Sequence, residues 1–213
     1  MTPEEHRNQK DLILGHAEEL MRRVGYKAFS YQDLADRLGV SKPAIHHHFA
    51  TKDTLGLALI QLYDAHFSSL VGQVEAEGRS AGEQVFAFLW LDGGPTSGCD
   101  ICPLGALQMH FETFSSAMQR ATIELSQRMH GWLAEKLSEA RTEGEVQSWG
   151  TPEQQAVFLM ASTQGGRQQT RALGAEALVD VRRSLERALF VDPTSLRKRQ
   201  RREHHSTKKG TAK

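Results

Sequence analysis

The sequence predicts an all-α protein of about nine helices, and two observations carry this prediction. Apolar residues recur at spacings of three and four along most of the chain, which is the period of a helix that buries one face. No stretch of useful length alternates apolar and polar residues, and no run rich in Val, Ile and Thr lies between turn signals. We therefore expect helices and no sheet.

Length and composition are those of a globular protein. The chain has 213 residues, of which 39% are hydrophobic and 24% are charged. Its longest apolar run, residues 85–91, is far shorter than the roughly 20 residues of a membrane-spanning helix. The N-terminal segment MTPEEHRNQK lacks the apolar stretch of a secretion signal. These features lead us to expect a soluble, cytoplasmic protein.

The first predicted helix runs from about residue 5 to Val24, and Gly25 is well placed to end it. Its inward face is formed by Leu12, Ile13, Ala17, Leu20, Met21 and Val24.

Three further helices have recognisable starts. Ser30 opens a short helix in the manner of a capping box, because its hydroxyl can accept a hydrogen bond from a free backbone N–H, and Gly39 closes that helix. Ser41 caps a third helix, which tolerates Pro43 in its first turn. Thr51 caps a long fourth helix. Its apolar positions include Leu55, Leu59, Leu62, Ala65 and Leu70.

Five more helices complete the prediction. They cover residues 80–91, Pro103 to about Phe111 or Phe114, residues 116–143, residues 151–174 and residues 175–190. The segment DGGPTSG (residues 92–98) separates the first two, and Asp192 followed by Pro193 stops the last.

The second and third helices, joined at LGVS (residues 38–41), form a predicted helix-turn-helix. The third contains three consecutive histidines in SKPAIHHHF (residues 41–49). At 100° per residue, His46 and His47 point about 100° and 160° away from the inward-facing Ile45. The histidines therefore diverge, which argues against a shared metal ion, and a purification tag would not lie between two capped helices.

The outward face of the third helix is suited to DNA. It carries Lys42, Pro43, Ala44, His46 and His47. Histidine and lysine can donate to phosphates or to base edges in the major groove. The alternative is the solvated face of an ordinary helical domain.

The stretch FSYQDLADRLGVSKPAIHHHFATKDTL resembles the DNA-binding domain of the TetR (tetracycline-repressor) family, over about residues 8 to 60. The resemblance implies a helix-turn-helix domain at residues 1–54 and a larger ligand-binding and dimerisation domain at residues 55–193. It implies that DNA is contacted by Tyr31, Gln32, Ser41, Lys42, Pro43, Ala44, His46, His47 and Lys52, with Lys52 meeting a phosphate. His46 departs from the family pattern, which usually has Tyr at this position.

The segment GCDICPLGAL (residues 98–107) is similar to a pattern at the start of the sixth helix in many family members, where the ligand pocket is built. On this basis the pocket candidates are Cys102, Met109, His110, Phe114, Trp132, Phe158 and Trp90. Such residues are also common in plain protein cores. Cys99 and Cys102 could instead form a redox or electrophile sensor, whereas a zinc site would need two further ligands.

The resemblance also places a homodimer interface on the last two helices. The candidates are Phe158, Ser162, Gly165, Gly166, Gln169, Leu178, Val181 and Leu185. The alternative is that these residues form a core within one chain.

Charge separates the tail from the rest of the chain. Residues 194–213 contain eight Lys or Arg and one acidic residue, a net charge of +7, and we expect them to be disordered. The remaining 193 residues carry −7, so the whole chain is neutral.

The resemblance implies a ligand-responsive regulator, and we favour a repressor that a small molecule releases from a palindromic operator. The alternatives are the thiol sensor and a ligand-independent DNA-organising protein. No GxSxG, HExxH, GxGxxG or P-loop motif is present, so we expect neither an enzyme nor a cofactor or metal site.

Overall fold

The computed structural model describes residues 3–91 and 101–191, and these ranges contain nine α-helices. They are α1 (Pro3–Val24), α2 (Tyr31–Leu38), α3 (Lys42–His48), α4 (Lys52–Ala76), α5 (Ala81–Leu91), α6 (Pro103–Met109), α7 (Ser116–Thr142), α8 (Pro152–Leu173) and α9 (Glu176–Leu189). In the same ranges, the β-structure consists of one isolated antiparallel bridge between Val146 and Phe190. The prediction of an all-α fold with about nine helices is confirmed. The predictions for Cys99 and for the basic tail lie outside the described residues.

Most of the predicted helix starts are stabilised by the expected caps. The Ser30 hydroxyl accepts from the Asp33 N–H at 3.3 Å, and the Asp33 carboxylate accepts from the Ser30 N–H at 2.6 Å. The hydrogen bond from the Ser30 side chain is the main reason why the pKa of Asp33 is lowered. Thr51 forms the equivalent reciprocal pair with Thr54 at the start of α4.

Ser41 is a partial exception. It occupies the N-cap position of α3, but its hydroxyl makes no capping hydrogen bond. Pro43 has no N–H to donate, and the N–H of Ala44 donates instead to the Ser41 backbone carbonyl at 2.9 Å. The N–H that a capping hydroxyl could accept from is therefore missing at Pro43, and the one at Ala44 already donates to a backbone carbonyl.

The N-terminal helices pack around the beginning of α4. Their buried apolar side chains include Ile13, Ala17, Met21, Leu34, Ile45, Phe49, Leu55 and Leu59. The turn between α2 and α3 requires Gly39, whose φ of 66° lies in the left-handed region. The Val40 N–H closes this turn by donating to the Ala35 carbonyl at 3.0 Å.

In the C-terminal part, α7 packs against α4, α5 and α8, while α8 pairs with α9. The buried apolar side chains here include Phe86, Phe88, Leu104, Leu107, Leu133, Leu137, Leu159 and Leu189. None of the helices in the described residues is both long and apolar enough to cross a membrane.

Helix α4 belongs to both parts of the chain. Its 25 residues correspond to ~37 Å at 1.5 Å per residue. The predicted domain boundary between residues 54 and 55 falls in its first turn, and it stays a prediction. A second connection links the Ile101 N–H to the Arg22 carbonyl at the end of α1, at 3.1 Å.

Candidate DNA-binding surface and ligand cavity

The helix-turn-helix buries one face of α3 and exposes the other, as the angular positions of its residues predict. Ile45 is completely buried and Phe49 nearly so, whereas Lys42, Pro43, His46 and His47 are exposed and Ala44 is half-buried. Together with the exposed Gln32 and Ser41, the outward residues of α3 form what we call the α3 surface.

The three histidines make different contacts. His46 Nδ1 lies 3.2 Å from the Ala50 carbonyl oxygen, so this nitrogen is the donor. His48 is half-buried, and its Nε2 lies 3.2 Å from Gln9 Oε1 on α1. In the parts of the chain that the structure describes, no three His, Cys, Asp or Glu side chains converge on a common point.

Tyr31 does not belong to the α3 surface, and its predicted DNA contact is not supported. Its side chain is 6% exposed, and its hydroxyl lies 2.9 Å from the Phe49 carbonyl and 2.6 Å from the Thr51 carbonyl. The phenol therefore donates to the segment between α3 and α4 rather than to a ligand. Burial is the main cause that raises the pKa of Tyr31 to about 12.

The Lys52 side chain also points into the protein. Its ammonium group donates to the Phe29 carbonyl and lies 4.4 Å from the centre of the Phe29 ring and 4.9 Å from that of Tyr26. Burial, followed by the nearby charge of Lys27, lowers its pKa. The predicted phosphate contact would require this side chain to leave two aromatic faces, so the conformation described here does not support it.

Gln32 is exposed, as its predicted contact with DNA requires. Its amide donates to Asp36 Oδ1 at 2.7 Å on the adjacent turn of α2. Lys42 is the fixed positive charge on the α3 surface itself, and the acidic Asp36 lies beside that surface.

A cavity of about 150 Å³ lies between five helices of the C-terminal part. Helix α4 contributes Tyr63, His66, Phe67 and Leu70; α5 contributes Phe88 and Leu89; Cys102 and α6 contribute the segment 102–104; α7 contributes Leu125 and Met129; and α8 contributes Met160, Thr163 and Arg167. Most of these side chains are apolar, which is typical of a small-molecule site.

Of the predicted pocket residues, only Cys102 lines this cavity. Trp132 is not a lining residue: its ring packs 5.0 Å from that of the lining residue Phe88, and its indole N–H donates to Glu75 at 3.1 Å. Trp90 faces the opposite way, towards Arg182 on α9. Met109 is 57% exposed and Phe158 is 45% exposed, and neither lines the cavity.

His110 and Phe114 pack against the N-terminal part instead. The Phe114 ring lies edge-to-face against Tyr26 at 5.3 Å, and His110 lies beside Gly25. Residues 111–113 form a short 3-10 helix that the periodicity did not predict, and it directs these side chains away from the cavity. They link the start of α7 to the end of α1.

The structure divides the predicted dimer residues into two groups. Gly166 and Leu185 are buried within the chain, because α9 packs on α8 so closely that a Cβ at Gly166 would lie 3.1–3.2 Å from Leu178 and Val181. Leu178 and Val181 are half-buried at this same contact.

The other predicted dimer residues are more accessible: Phe158, Gly165 and Gln169 are exposed and Ser162 is half-buried. Val157, 56% exposed, lies next to Phe158 on α8.

The cavity residues missed by the sequence analysis carry a signal in their spacing. Tyr63, His66, Phe67 and Leu70 follow the helical period on α4, as do Met160, Thr163 and Arg167 on α8. The charged Arg167 on an otherwise inward-facing stripe is the feature that could have drawn attention to this site.

Comparison with known proteins identifies the N-terminal part of the chain. The family model for bacterial regulatory proteins of the tetR family matches residues 13–59, which include α2, the turn and α3. The HTH-type transcriptional activator FasR of Mycolicibacterium smegmatis is 39% identical over 71 residues. That match spans 33% of this chain and 30% of FasR, so less than a third of that relative is covered.

Solved structures share the fold over most of the chain. A TetR-family transcriptional regulator from Agrobacterium tumefaciens aligns with a TM-score of 0.79 and 25% identity over 86% of this chain and 99% of that one. A TetR transcriptional regulator from Legionella pneumophila aligns with a TM-score of 0.74 and 23% identity over 84% and 96% of the two chains. The helical C-terminal part is therefore similar in architecture to those of TetR proteins, together with the helix-turn-helix.

Proposed function

We propose that the chain is a transcriptional regulator of the TetR family and that it acts as a homodimer, which leaves a palindromic operator when a small molecule occupies the cavity between α4 and α8. The observation that carries this proposal is the position of α4. Three residues separate the end of α3 from the start of α4, and α4 contributes four side chains to the cavity wall.

DNA recognition is proposed for the α3 surface. Lys42 and His47 are its best candidates for base contacts, because both are exposed. His47 lies on the side of α3 opposite to the buried Ile45, and Lys42 lies in the first turn of the helix. One short recognition helix reads few base pairs, so two copies of the chain would place two such helices about 34–36 Å apart on successive turns of the major groove.

The exposed stripe on α8 supports the proposed dimer. Val157, Phe158 and Gly165 lie on a side of α8 that is exposed in the part of the chain that the structure describes. An isologous contact between two α8 helices would bury these side chains, and Gly165 would allow the backbones to approach.

Coupling between the cavity and the α3 surface would run through α4 and α6. A ligand held against Phe67 and Leu104 would shift these helices relative to each other, and α6 is connected to the end of α1 through Ile101. A change in the orientation of α4 would alter the spacing of the two recognition helices, and the dimer would then fit its operator less well.

Repression is our proposal for the regulatory outcome, although the named relative FasR is an activator. The same release from DNA would relieve repression at one operator position and end activation at another. A reporter that carries the operator overlapping the promoter in one version and upstream of it in the other would distinguish the two.

The test of the proposed function begins with selection of bound sequences from random duplex DNA by the full chain. We expect enrichment of an inverted repeat whose half-sites lie about one helical turn apart or a multiple of that distance. Lys42→Ala should weaken binding to the selected site, whereas Arg120→Ala, which removes an exposed positive charge on α7, should not. Enrichment of no sequence, or equal loss in both variants, would contradict the proposal.

A further inference from the structure

We propose that the cavity binds a small apolar carboxylate, with its hydrocarbon part among the aromatic and aliphatic side chains and its carboxylate at Arg167. The inference rests on the proposed ligand-binding function and specifies the chemical class of that ligand. Three features of the cavity carry it: its charge, its hydrogen-bonding groups and its size.

The charge of the lining is positive. Its fourteen residues include the fixed cation Arg167 but neither Asp nor Glu. Several other arginines of this chain pair with carboxylates: Arg37 with Glu19, Arg128 with Asp64 and Arg182 with Glu186. Arg167 is half-buried, and within the described residues no carboxylate lies within ion-pair distance of it. A partly buried cation without an anion is poorly compensated, so an anionic ligand would supply the counter-charge that the described residues do not.

Arg167 has the geometry to hold a carboxylate. It follows Met160 and Thr163 at spacings of seven and four residues, so the three side chains share one face of α8. The Thr163 hydroxyl lies 3.0 Å from the carbonyls of Leu159 and Met160 and donates within its own helix. The guanidinium is therefore the principal donor that the lining of α8 offers, and its planar fork matches a carboxylate in a bidentate arrangement.

The size of the cavity suits a ligand of about six carbon atoms. An apolar cavity of about 150 Å³ accommodates one benzene ring. The volume found here is about 150 Å³, and Phe67, Phe88 and Leu125 provide apolar walls. A single aromatic ring or a chain of about six carbons would fill this space and leave its polar end at Arg167.

Competing ligand classes fit these features less well. An organic cation would be repelled by Arg167, and a neutral molecule would leave the guanidinium without its anion. A free phosphate or sulfate ion would leave the apolar walls unfilled. The amphipathic acid is the class that satisfies both parts of the cavity.

The experiment compares isosteres that differ in charge, on the full chain without DNA. Benzoate, benzamide and benzylamine share one ring, and hexanoate, hexanamide and hexylamine share one chain length. Isothermal titration calorimetry would measure their affinities at neutral pH. We expect one or both acids to bind about 10-fold or more tightly than the matching amide, which is the order of magnitude of a charge-assisted hydrogen bond, and the amines to bind more weakly still.

Two variants locate the interaction. Arg167→Gln should weaken binding of the acid by about 10-fold or more and leave binding of the amide nearly unchanged. Arg120→Gln, with the same change of charge at an exposed position on α7, should bind the acid as the wild type does. If Arg167→Gln does not fold, as judged by circular dichroism, the comparison of isosteres on the wild type decides alone.

Three results would overturn the inference: an amide or amine that binds as tightly as its acid, unchanged acid binding in Arg167→Gln, or no binding by any of the six probes at millimolar concentration. None of these results bears on operator selection, which is measured without ligand. Failure of the carboxylate inference is thus distinguishable from failure of the proposed regulator.

Discussion

Tyr31 connects the recognition helix to α4 through one phenol group. Its hydroxyl lies within hydrogen-bonding distance of the carbonyls of Phe49 and Thr51, which flank the short link between the two helices. The His46 ring packs against the phenol at 4.7 Å. The neutral phenol is thus a structural element of the DNA-binding part, and ionisation would remove the donor from both carbonyls.

This arrangement predicts a loss of stability at alkaline pH. The pKa of Tyr31 is raised from 10.0 to about 12 in the folded chain, so the contribution of the neutral phenol is complete below pH 10 and is lost as the pH rises through 12. The free energy of unfolding by urea should therefore fall more between pH 9 and pH 12 for the wild type than for Tyr31→Phe. Because Lys52 titrates in both proteins, the difference between them reports on Tyr31. Parallel pH profiles would contradict the assignment.

His47 and His46 have different expected roles, although both are exposed. His46 contacts the Ala50 carbonyl from the end of α3 that leads into α4, and His47 is exposed on the side of α3 opposite to Ile45, with its ring 5.4 Å from that of His48. A base contact is worth about 1–3 kcal/mol of discrimination between base pairs.

We therefore expect His47→Ala to change which base is preferred at one position of each half-site. Selection from random DNA followed by competition binding would measure this change. His130→Ala, on α7 and away from the α3 surface, is the matched control. A uniform loss of affinity without altered preference would mean that His47 contacts the DNA backbone instead.

At the level of helices, the pattern of the sequence predicts local features well and contacts between helices poorly. Ser30 and Thr51 cap the helices that they are expected to cap, because a cap depends only on its own first turn. Phe114 and Trp132 were assigned to the ligand pocket, yet they lie against Tyr26 and behind Phe88. Their positions depend on how α6, α7 and the intervening 3-10 helix contact other parts of the chain. The spacing of apolar residues along the sequence does not specify these contacts.

The close approach of α4 to α7 illustrates such a contact. A Cβ added at Gly56 would lie 2.4 Å from Met118 Cε and 2.6 Å from the Tyr26 hydroxyl. The Met118 methyl group can move, but the Tyr26 ring is held by its hydrogen bond to the Lys52 carbonyl and by its contact with Phe114.

Gly56→Ala should therefore destabilise the fold by about 1–3 kcal/mol, as overpacking of a core does. Gly72→Ala is the matched control, because Gly72 is exposed on the same helix with no atom within 4 Å of its Cβ position. It should stabilise the chain by about 0.5–1 kcal/mol through helix propensity. Urea unfolding monitored by circular dichroism would measure both, and a stabilised Gly56→Ala would mean that α4 and α7 separate more easily than their packing implies.

Whether the cavity can regulate DNA binding by the α3 surface depends on how two copies of the chain assemble. The cavity and the α3 surface lie in one chain, but a palindromic site needs two recognition helices at a fixed spacing. The tetR family model covers the DNA-binding part, and the solved structures extend the likeness to the helices beyond it. The resemblance implies a dimer interface on α8 and α9, which stays a prediction. Of its candidate residues, Phe158, Gly165 and Gln169 on α8 are exposed, whereas Leu185 on α9 is buried.

Charge on the exposed side of α8 should dissociate the proposed dimer. Phe158 is 45% exposed, and its ring lies edge-to-face against Trp149 at 5.1 Å, so Phe158→Glu would place two carboxylates at a symmetric contact while removing an apolar surface. We expect sedimentation equilibrium to give a dimer for the wild type and a monomer for Phe158→Glu at micromolar concentration. Leu12→Glu introduces the same charge at a 53% exposed position on α1 and should remain dimeric. The monomeric variant should also bind the selected palindrome much more weakly than the wild type. It should still bind a small-molecule probe, because a single copy of the chain already forms the cavity. A dimeric Phe158→Glu would move the interface away from this side of α8.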